Sequence, residues 1–180
     1  MTTYRDALTG AMAELARHPR AVFLGQSIVA GGTAMTATFA DVPAEKKIEL
    51  PVFENTQLGL ATGMALAGNL PICVFPRINF LLCAIDQLIL HLSALPRYSA
   101  YRPKVIIRTA IATPEPLNPG PQHLGDYCHA LRELIAVGGD PISLYRLDSA
   151  AEVHCGYDIA FNDPWSIILV ERTELYDTEG

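Results

Sequence analysis

Short, continuous apolar runs that alternate with helical segments constrain this fold most strongly. Strands buried on both faces carry apolar residues without a polar alternation, as parallel strands between two layers of helices do. The pattern therefore predicts a three-layer α/β/α domain with a mostly parallel sheet of about five or six strands and right-handed crossovers. The predicted strands are AVFLG (21–25), PICVF (71–75), KVIIRTA (104–110), PISLYRL (141–147) and WSIILVE (165–171).

Helix signals separate these runs. Thr3 and Asp6 have the spacing of a capping box, and the helix they open ends at RHP (17–19). The proline-rich segment 111–123 predicts a loop after a strand, at the edge of a parallel sheet where ligands bind. Further helices are predicted over 57–68, 80–95 and 126–134, and from a Ser149 cap to about residue 160.

Composition limits the classes of function. The 180 residues are 50% hydrophobic, enough for one domain with a full core, and we expect residues 1–180 to form a single domain with no C-terminal domain. The net charge of −6, without a basic run, disfavours nucleic acids and anionic membranes as partners. A signal-peptide pattern and a bilayer-length apolar run are both missing, so we expect a cytoplasmic protein. The cysteines lack metal-ligand spacing, and no metal site is predicted.

One acid stands out in the apolar stretch PVFENTQLGLATGMALAG (51–68). Glu54 lies where a helix with small, apolar residues begins. A buried carboxylate is costly unless it is paired or takes part in chemistry. The residue alone leaves two interpretations open: a chemical group, or an acid that stabilises the first turn of the helix. The common phosphate-binding and nucleophile-elbow motifs are absent from the sequence.

Several segments together resemble the pyrimidine-binding domain of thiamine-diphosphate enzymes. They are ELPVFENTQLGLATGMALAG, NFLLCAIDQLILHLSALPRYS, KVIIRTAI and GPQH, in that order. The similarity is to the N-terminal half of the beta subunit of 2-oxoacid dehydrogenase E1 components and to the central domain of transketolase. It extends over about residues 4–171, so it implies the same fold for nearly the whole chain.

The resemblance implies roles for five residues. Glu54 would bind N1′ of the cofactor's aminopyrimidine and so promote loss of the proton from the thiazolium C2. Phe80 would stack on the pyrimidine ring, with Phe75 as the alternative if the alignment shifts, although Phe80 could also be plain core packing. His123 would handle protons or a substrate carboxylate, or simply be solvated. Gln26, which replaces a family acid, is grouped with the cofactor-binding candidates.

The departures concern the substrate and the metal. Gln26 and Ser27 replace an acidic pair, and Leu124 and Gly125 replace a Ser-Gln pair, so the substrate, a 2-oxoacid or a ketose, stays open. Arg77 has no family counterpart and could bind an anionic substrate group or be exposed.

The GDG…N motif that holds Mg²⁺ and the diphosphate in the family is missing from this sequence. The resemblance therefore implies a separately encoded diphosphate-binding subunit, most simply in a heterotetramer. The apolar 80–95 helix is expected to cover a partner or a second copy, with Asp86 and Gln87 at a subunit interface. Two other classes remain open: a non-catalytic scaffold subunit and a flavodoxin-like binding module.

Overall fold

The computed structural model describes residues 2–31, 33–115, 118–139 and 141–178. Within these ranges a six-stranded, all-parallel sheet has the order β2-β1-β3-β4-β6-β5, with helices on both faces. The predicted three-layer α/β/α architecture is confirmed. The strands are β1 Ala21–Gly25, β2 Lys47–Glu49, β3 Leu70–Val74, β4 Ile106–Ile111, β5 Ser143–Arg146 and β6 Ile167–Arg172.

Among the described residues, helices pack on both faces of the sheet. On the first face, α1 and α7 cover a core that contains Leu8, Phe23 and Val153. On the second face, α3, α6 and the segment between β3 and β4 cover a core that contains Leu58 and Leu131. The α-helices are α1 Tyr4–Arg17, α2 Ala34–Ala37, α3 Glu54–Leu66, α4 Ile78–Leu81, α5 Leu95–Tyr98, α6 Cys128–Gly138 and α7 Ala150–Asn162.

Two of the predicted helix starts are confirmed by their capping residues. Thr3 and Asp6 form the reciprocal capping box of α1, and the Ser149 side chain caps α7 by accepting from the Glu152 N–H. The edge strand β2 was not predicted, because its three residues are partly or fully exposed and form no apolar run. The loop predicted over 111–123 includes residues 116 and 117, which lie outside the described residues.

The prediction of one continuous helix over 80–95 is wrong. After α4, residues 82–84 form a 3₁₀ turn, residues 87–93 form a π-helix, and α5 follows. The halves Ile78–Ala84 and Gln87–Tyr98 meet at 68°. The bend brings Leu81 and Leu88 into the same core. The spacing of apolar residues predicts a helix but does not reveal such a break between helix types.

This bent segment is mostly covered within the domain. Leu81, Leu88 and Leu92 are buried, whereas Leu90 is 63% exposed, so only part of its apolar surface is left for a partner. Among the described residues no single helix is long and apolar enough to cross a membrane, and the bent pair meets that description only by length and composition.

A buried ion pair joins β4 to β6. The Arg108 guanidinium donates to both oxygens of Glu171, with Nε 2.5 Å from Oε1 and Nη2 3.1 Å from Oε2. Both side chains are fully buried. The hydroxyls of Tyr157 and Tyr176 also donate to this carboxylate, and burial together with the Glu171 charge raises the pKa of both tyrosines, so they remain donors.

We predict that Glu171→Gln destabilises the domain by about 3 kcal/mol, because it leaves the buried Arg108 charge without a counter-ion. The measurement is urea unfolding followed by circular dichroism. The matched control is Glu133→Gln on the exposed side of α6, which should stay within about 0.5 kcal/mol of the unsubstituted chain. Equal midpoints for the two variants would contradict the prediction.

Candidate functional site

A cavity of about 390 Å³ opens at the carboxyl edge of the sheet. It is formed by the segments that follow β1, β3, β4 and β6, together with α2. Loops beyond the carboxyl ends of parallel strands are the usual ligand sites of such sheets. The lining includes Gln26, Met35, Arg77, Phe80, Thr173 and Tyr176.

Glu54 is the first residue of α3, three residues before the predicted helix start. Its predecessor Phe53 takes the capping position and makes no side-chain capping bond, so Glu54 does not serve as the N-cap. The Glu54 side chain is buried and accepts a hydrogen bond from Gln26 Nε2 at 3.3 Å. No other hydrogen bond to its carboxylate occurs within the described parts of the chain, so one oxygen is available to a ligand.

The position of Gln26 depends on a close backbone approach at the end of β1. Gly25 has φ +143°, and a Cβ there would lie 2.2 Å from the Val74 carbonyl oxygen of β3. The same oxygen accepts a hydrogen bond from Gln57 Nε2 at 2.8 Å. Only glycine fits this position, and the chain leaves the sheet there, which places Gln26 between the cavity and Glu54.

The loop after Gln26 is fixed by Glu49 at the end of β2. The Glu49 carboxylate accepts hydrogen bonds from four consecutive backbone N–H groups, of residues 27–30, at 2.6–3.2 Å. Ser27 adopts φ +61°, which turns these groups to one point. Partial burial opposes the charged form, but the four hydrogen bonds outweigh it and hold the pKa of Glu49 below its usual value of 4.5. Sequence reasoning missed this residue, and an acid at the end of a short polar edge strand is a weak signal.

Phe80 and His123 lie together. Their ring centroids are 5.2 Å apart at an interplanar angle of 61°, and His123 Nδ1 is 3.1 Å from Asn79 Oδ1. Phe80 lines the cavity and is half-buried, so part of its ring can meet a ligand. Phe75 is fully buried in the core and does not line the cavity. The structure thus separates Phe75 from the other candidates, because a flat ligand cannot reach its ring.

Asp86 and Gln87 make contacts inside the domain. Asp86 accepts a hydrogen bond from the Asn55 side chain of α3, and Gln87 packs against Gly59 of the same helix. These contacts hold the bent segment to α3, so the expected placement at a subunit interface is not needed to explain either residue. No group of three or more His, Cys, Asp or Glu side chains within the described ranges is arranged to hold a metal ion.

We predict that Glu49→Gln loosens the loop at residues 27–30. An amide side chain offers one accepting oxygen in place of two and turns an N–H₂ group towards backbone donors, which costs about 1 kcal/mol at this partly exposed position. Hydrogen exchange of the four loop amides, followed by NMR, should become faster. In the unsubstituted chain this protection should be complete above about pH 4.5 and be lost as the pH falls through the lowered folded-state pKa of Glu49. Unchanged exchange in the variant would show that the loop does not depend on Glu49.

A parallel sheet with a carboxylate, an amide and aromatic rings at its carboxyl edge has the form of a ligand-binding α/β domain. Residues 1–118 match the family model described as transketolase, pyrimidine binding domain, and the chain belongs to that family. This is the pyrimidine-binding domain of thiamine-diphosphate-dependent enzymes, as the resemblance in the sequence implied.

Curated relatives are beta subunits of the pyruvate dehydrogenase E1 component. The mitochondrial subunit of Chaetomium thermophilum is 38% identical over 91 residues, which cover 48% of this chain and 24% of that protein. The human subunit is 35% identical over the same share of this chain and 25% of its own length. The chain thus matches about a quarter of the length of these relatives.

Solved structures share the fold at lower identity. A split-gene transketolase, described as an inactive beta4 tetramer, superposes with a TM-score of 0.69 at 17% identity, covering 94% of this chain and 51% of that one. A thiamin-diphosphate-dependent enzyme from Mycobacterium smegmatis, described as putative, has a TM-score of 0.62 at 12% identity, covering 100% and 32%.

Proposed function

We propose that this chain is the pyrimidine-binding subunit of a split thiamine-diphosphate enzyme that acts on a 2-oxoacid or a ketose. The observation that carries the proposal is Glu54: a buried carboxylate at the carboxyl edge of the sheet, with one hydrogen bond from Gln26. A buried carboxylate that is not the N-cap of its helix is a candidate for chemistry at a ligand site.

The residues present fit an aminopyrimidine ring. The second oxygen of Glu54 can share a proton with a ring nitrogen, and Phe80 offers a half-exposed aromatic face for stacking. When bound, thiamine diphosphate supplies a thiazolium carbon that can attack a carbonyl group. Because water is largely excluded around Glu54, its hydrogen bond to a ring nitrogen would be strong.

Gln26 and His123 would assist from two sides. The Gln26 amide orients the Glu54 carboxylate, since it donates to Oε1 and leaves the other oxygen for the ligand. His123 lies within hydrogen-bond distance of Asn79 and packs edge-on against Phe80. Its imidazole is therefore fixed beside the ring that is proposed to stack on the pyrimidine. An imidazole can give or accept a proton near neutral pH, as a substrate carbonyl or carboxylate requires.

We propose that Mg²⁺ and the diphosphate are held by a separately encoded subunit, most simply in a heterotetramer. This proposal rests on the missing metal-binding motif and on the family's split members, of which the neighbouring transketolase structure is one by its description. Val52 and Phe53, directly before Glu54, are 69% and 62% exposed. A partner seated on these side chains would cover apolar surface beside the proposed acid.

We predict that Glu54→Gln, in the complex with its partner, slows exchange of the cofactor C2 proton by at least about a hundredfold, a loss typical of a missing general acid or base. The amide keeps the size of the side chain but cannot hold the proton. NMR of bound thiamine diphosphate in deuterated water measures the exchange. Glu45→Gln, at an exposed turn, is the matched control and should exchange at the unsubstituted rate. Similar rates for the Glu54 and Glu45 variants would exclude Glu54 as the activating acid.

We predict that the chain alone binds thiamine diphosphate weakly, because its sequence lacks the family's metal-binding motif and its described residues hold no group of three acids, histidines or cysteines arranged for a metal ion. Isothermal titration calorimetry with and without Mg²⁺ tests this. Addition of the partner should create tight, Mg²⁺-dependent binding. Tight binding by the chain alone would overturn the split site.

A non-catalytic scaffold subunit is the second candidate function. Gln26 replaces an acidic residue of the family pattern, and an amide beside Glu54 cannot repeat the work of a second carboxylate. Under this alternative the complex would form, and the C2 proton would exchange no faster in the unsubstituted complex than in Glu54→Gln.

A further inference from the structure

Arg77 differs from the other arginines of the chain. It lies between β3 and α4, is half-buried and lines the cavity at the carboxyl edge. Within the described residues it is the one arginine whose guanidinium makes neither a hydrogen bond nor an ion pair. The others bind a carboxylate or a backbone carbonyl: Arg5, Arg17, Arg20, Arg97, Arg102, Arg108, Arg132, Arg146 and Arg172.

No acid in the described part of the cavity neutralises this charge. Asp177 also lines the cavity, but it forms an ion pair with Arg5. Glu54 is not among the cavity-lining residues, and one of its oxygens accepts a hydrogen bond from Gln26. A partly dehydrated guanidinium with free donors is unfavourable until an acceptor arrives, and its planar fork fits a carboxylate, phosphate or sulfonate through two parallel hydrogen bonds.

Other donors face the same space. Ser27 and Thr173 line the cavity, and within the described residues neither hydroxyl group donates to or accepts from another group. Phe80, the proposed stacking ring, forms part of the same wall. The free donors of the cavity therefore share a wall with the ring proposed to stack on the pyrimidine of the cofactor.

We propose that Arg77 binds an anionic group of the substrate and so determines substrate specificity. That the anion belongs to the substrate of a thiamine-diphosphate reaction rests on the proposed function. Arg77 selects substrates that carry a carboxylate, phosphate or sulfonate over neutral carbonyl compounds. An oxyanion held by Arg77, Ser27 and Thr173 positions its carbonyl on the side of the cavity where Phe80 lies.

The test is an NMR titration of the full chain, without cofactor or partner. The probes are pyruvate, which presents a carboxylate, and inorganic phosphate, with ionic strength held constant by NaCl because exposed charges are screened. We expect at least one probe to shift the amide signals of residues 77, 80 and 173, and Arg77→Gln to weaken that binding at least tenfold. Arg77→Lys should retain part of the affinity, because it keeps the charge and loses the fork.

Arg17→Gln is the matched control, since it removes the same charge from an exposed site on α1. It should bind the probe as the unsubstituted chain does. The proposal is overturned if neither probe shifts the cavity signals, or if Arg77→Gln and Arg17→Gln bind equally well. The stronger of the two probes identifies the type of oxyanion.

The titration is independent of the proposed function. Suppose that the probe binds at Arg77 but the C2 proton exchanges at the same rate in Glu54→Gln and in Glu45→Gln. The chain then has an anion site but does not activate the cofactor through Glu54. Fast C2 exchange that depends on Glu54, without anion binding at Arg77, would leave the enzyme proposal intact and remove only the specificity residue.

Discussion

The ion pair between Arg108 and Glu171 is the interaction on which the centre of the molecule depends. It lies across the β4–β6 ladder with no exposed surface, so both charges have lost their hydration. Their mutual attraction balances that loss only because further groups complete the cluster. Tyr157 brings in α7, Tyr176 brings in the segment after β6, and the guanidinium carbon lies 4.8 Å from the centre of the Phe39 ring. Since Tyr176 also lines the cavity, the buried charge cluster fixes one wall of the candidate site.

The sequence was sufficient for the architecture and for part of the site. Apolar runs revealed the buried strands because burial on both faces leaves a continuous signal. The edge strand β2 leaves no such signal, and the break in the 80–95 helix is a choice between helix types that side-chain periodicity does not encode. The hydrogen bond from Gln26 to Glu54 joins residues 28 positions apart and depends on the approach of Gly25 to Val74. The sequence left Arg77 either as an anion-binding residue or as an exposed one, and its place in a cavity without a partner among the described residues favours the first.

The two sides of the candidate site have different relations to the family. Glu54, Gln26 and Phe80 fall within residues 1–118, which the family model matches. Thr173, Tyr176 and Asp177, which complete the cavity, lie beyond that range. A family can keep the residues that hold a cofactor while the opposite wall changes with the substrate, because the two tasks need different side chains. Arg77 also falls inside the matched range and lines the same cavity.

The contact between Glu49 and the loop at residues 27–30 has a consequence for phosphate binding. Successive N–H groups that converge on one point form an anion nest, the backbone arrangement that proteins use to bind phosphate groups. Here a carboxylate of the same chain acts as an internal ligand and fills the nest at all pH values where Glu49 is ionised. A diphosphate would have to displace a tethered competitor of high effective concentration. The nest formed by residues 27–30 thus shapes a loop, and a phosphate must find its donors elsewhere.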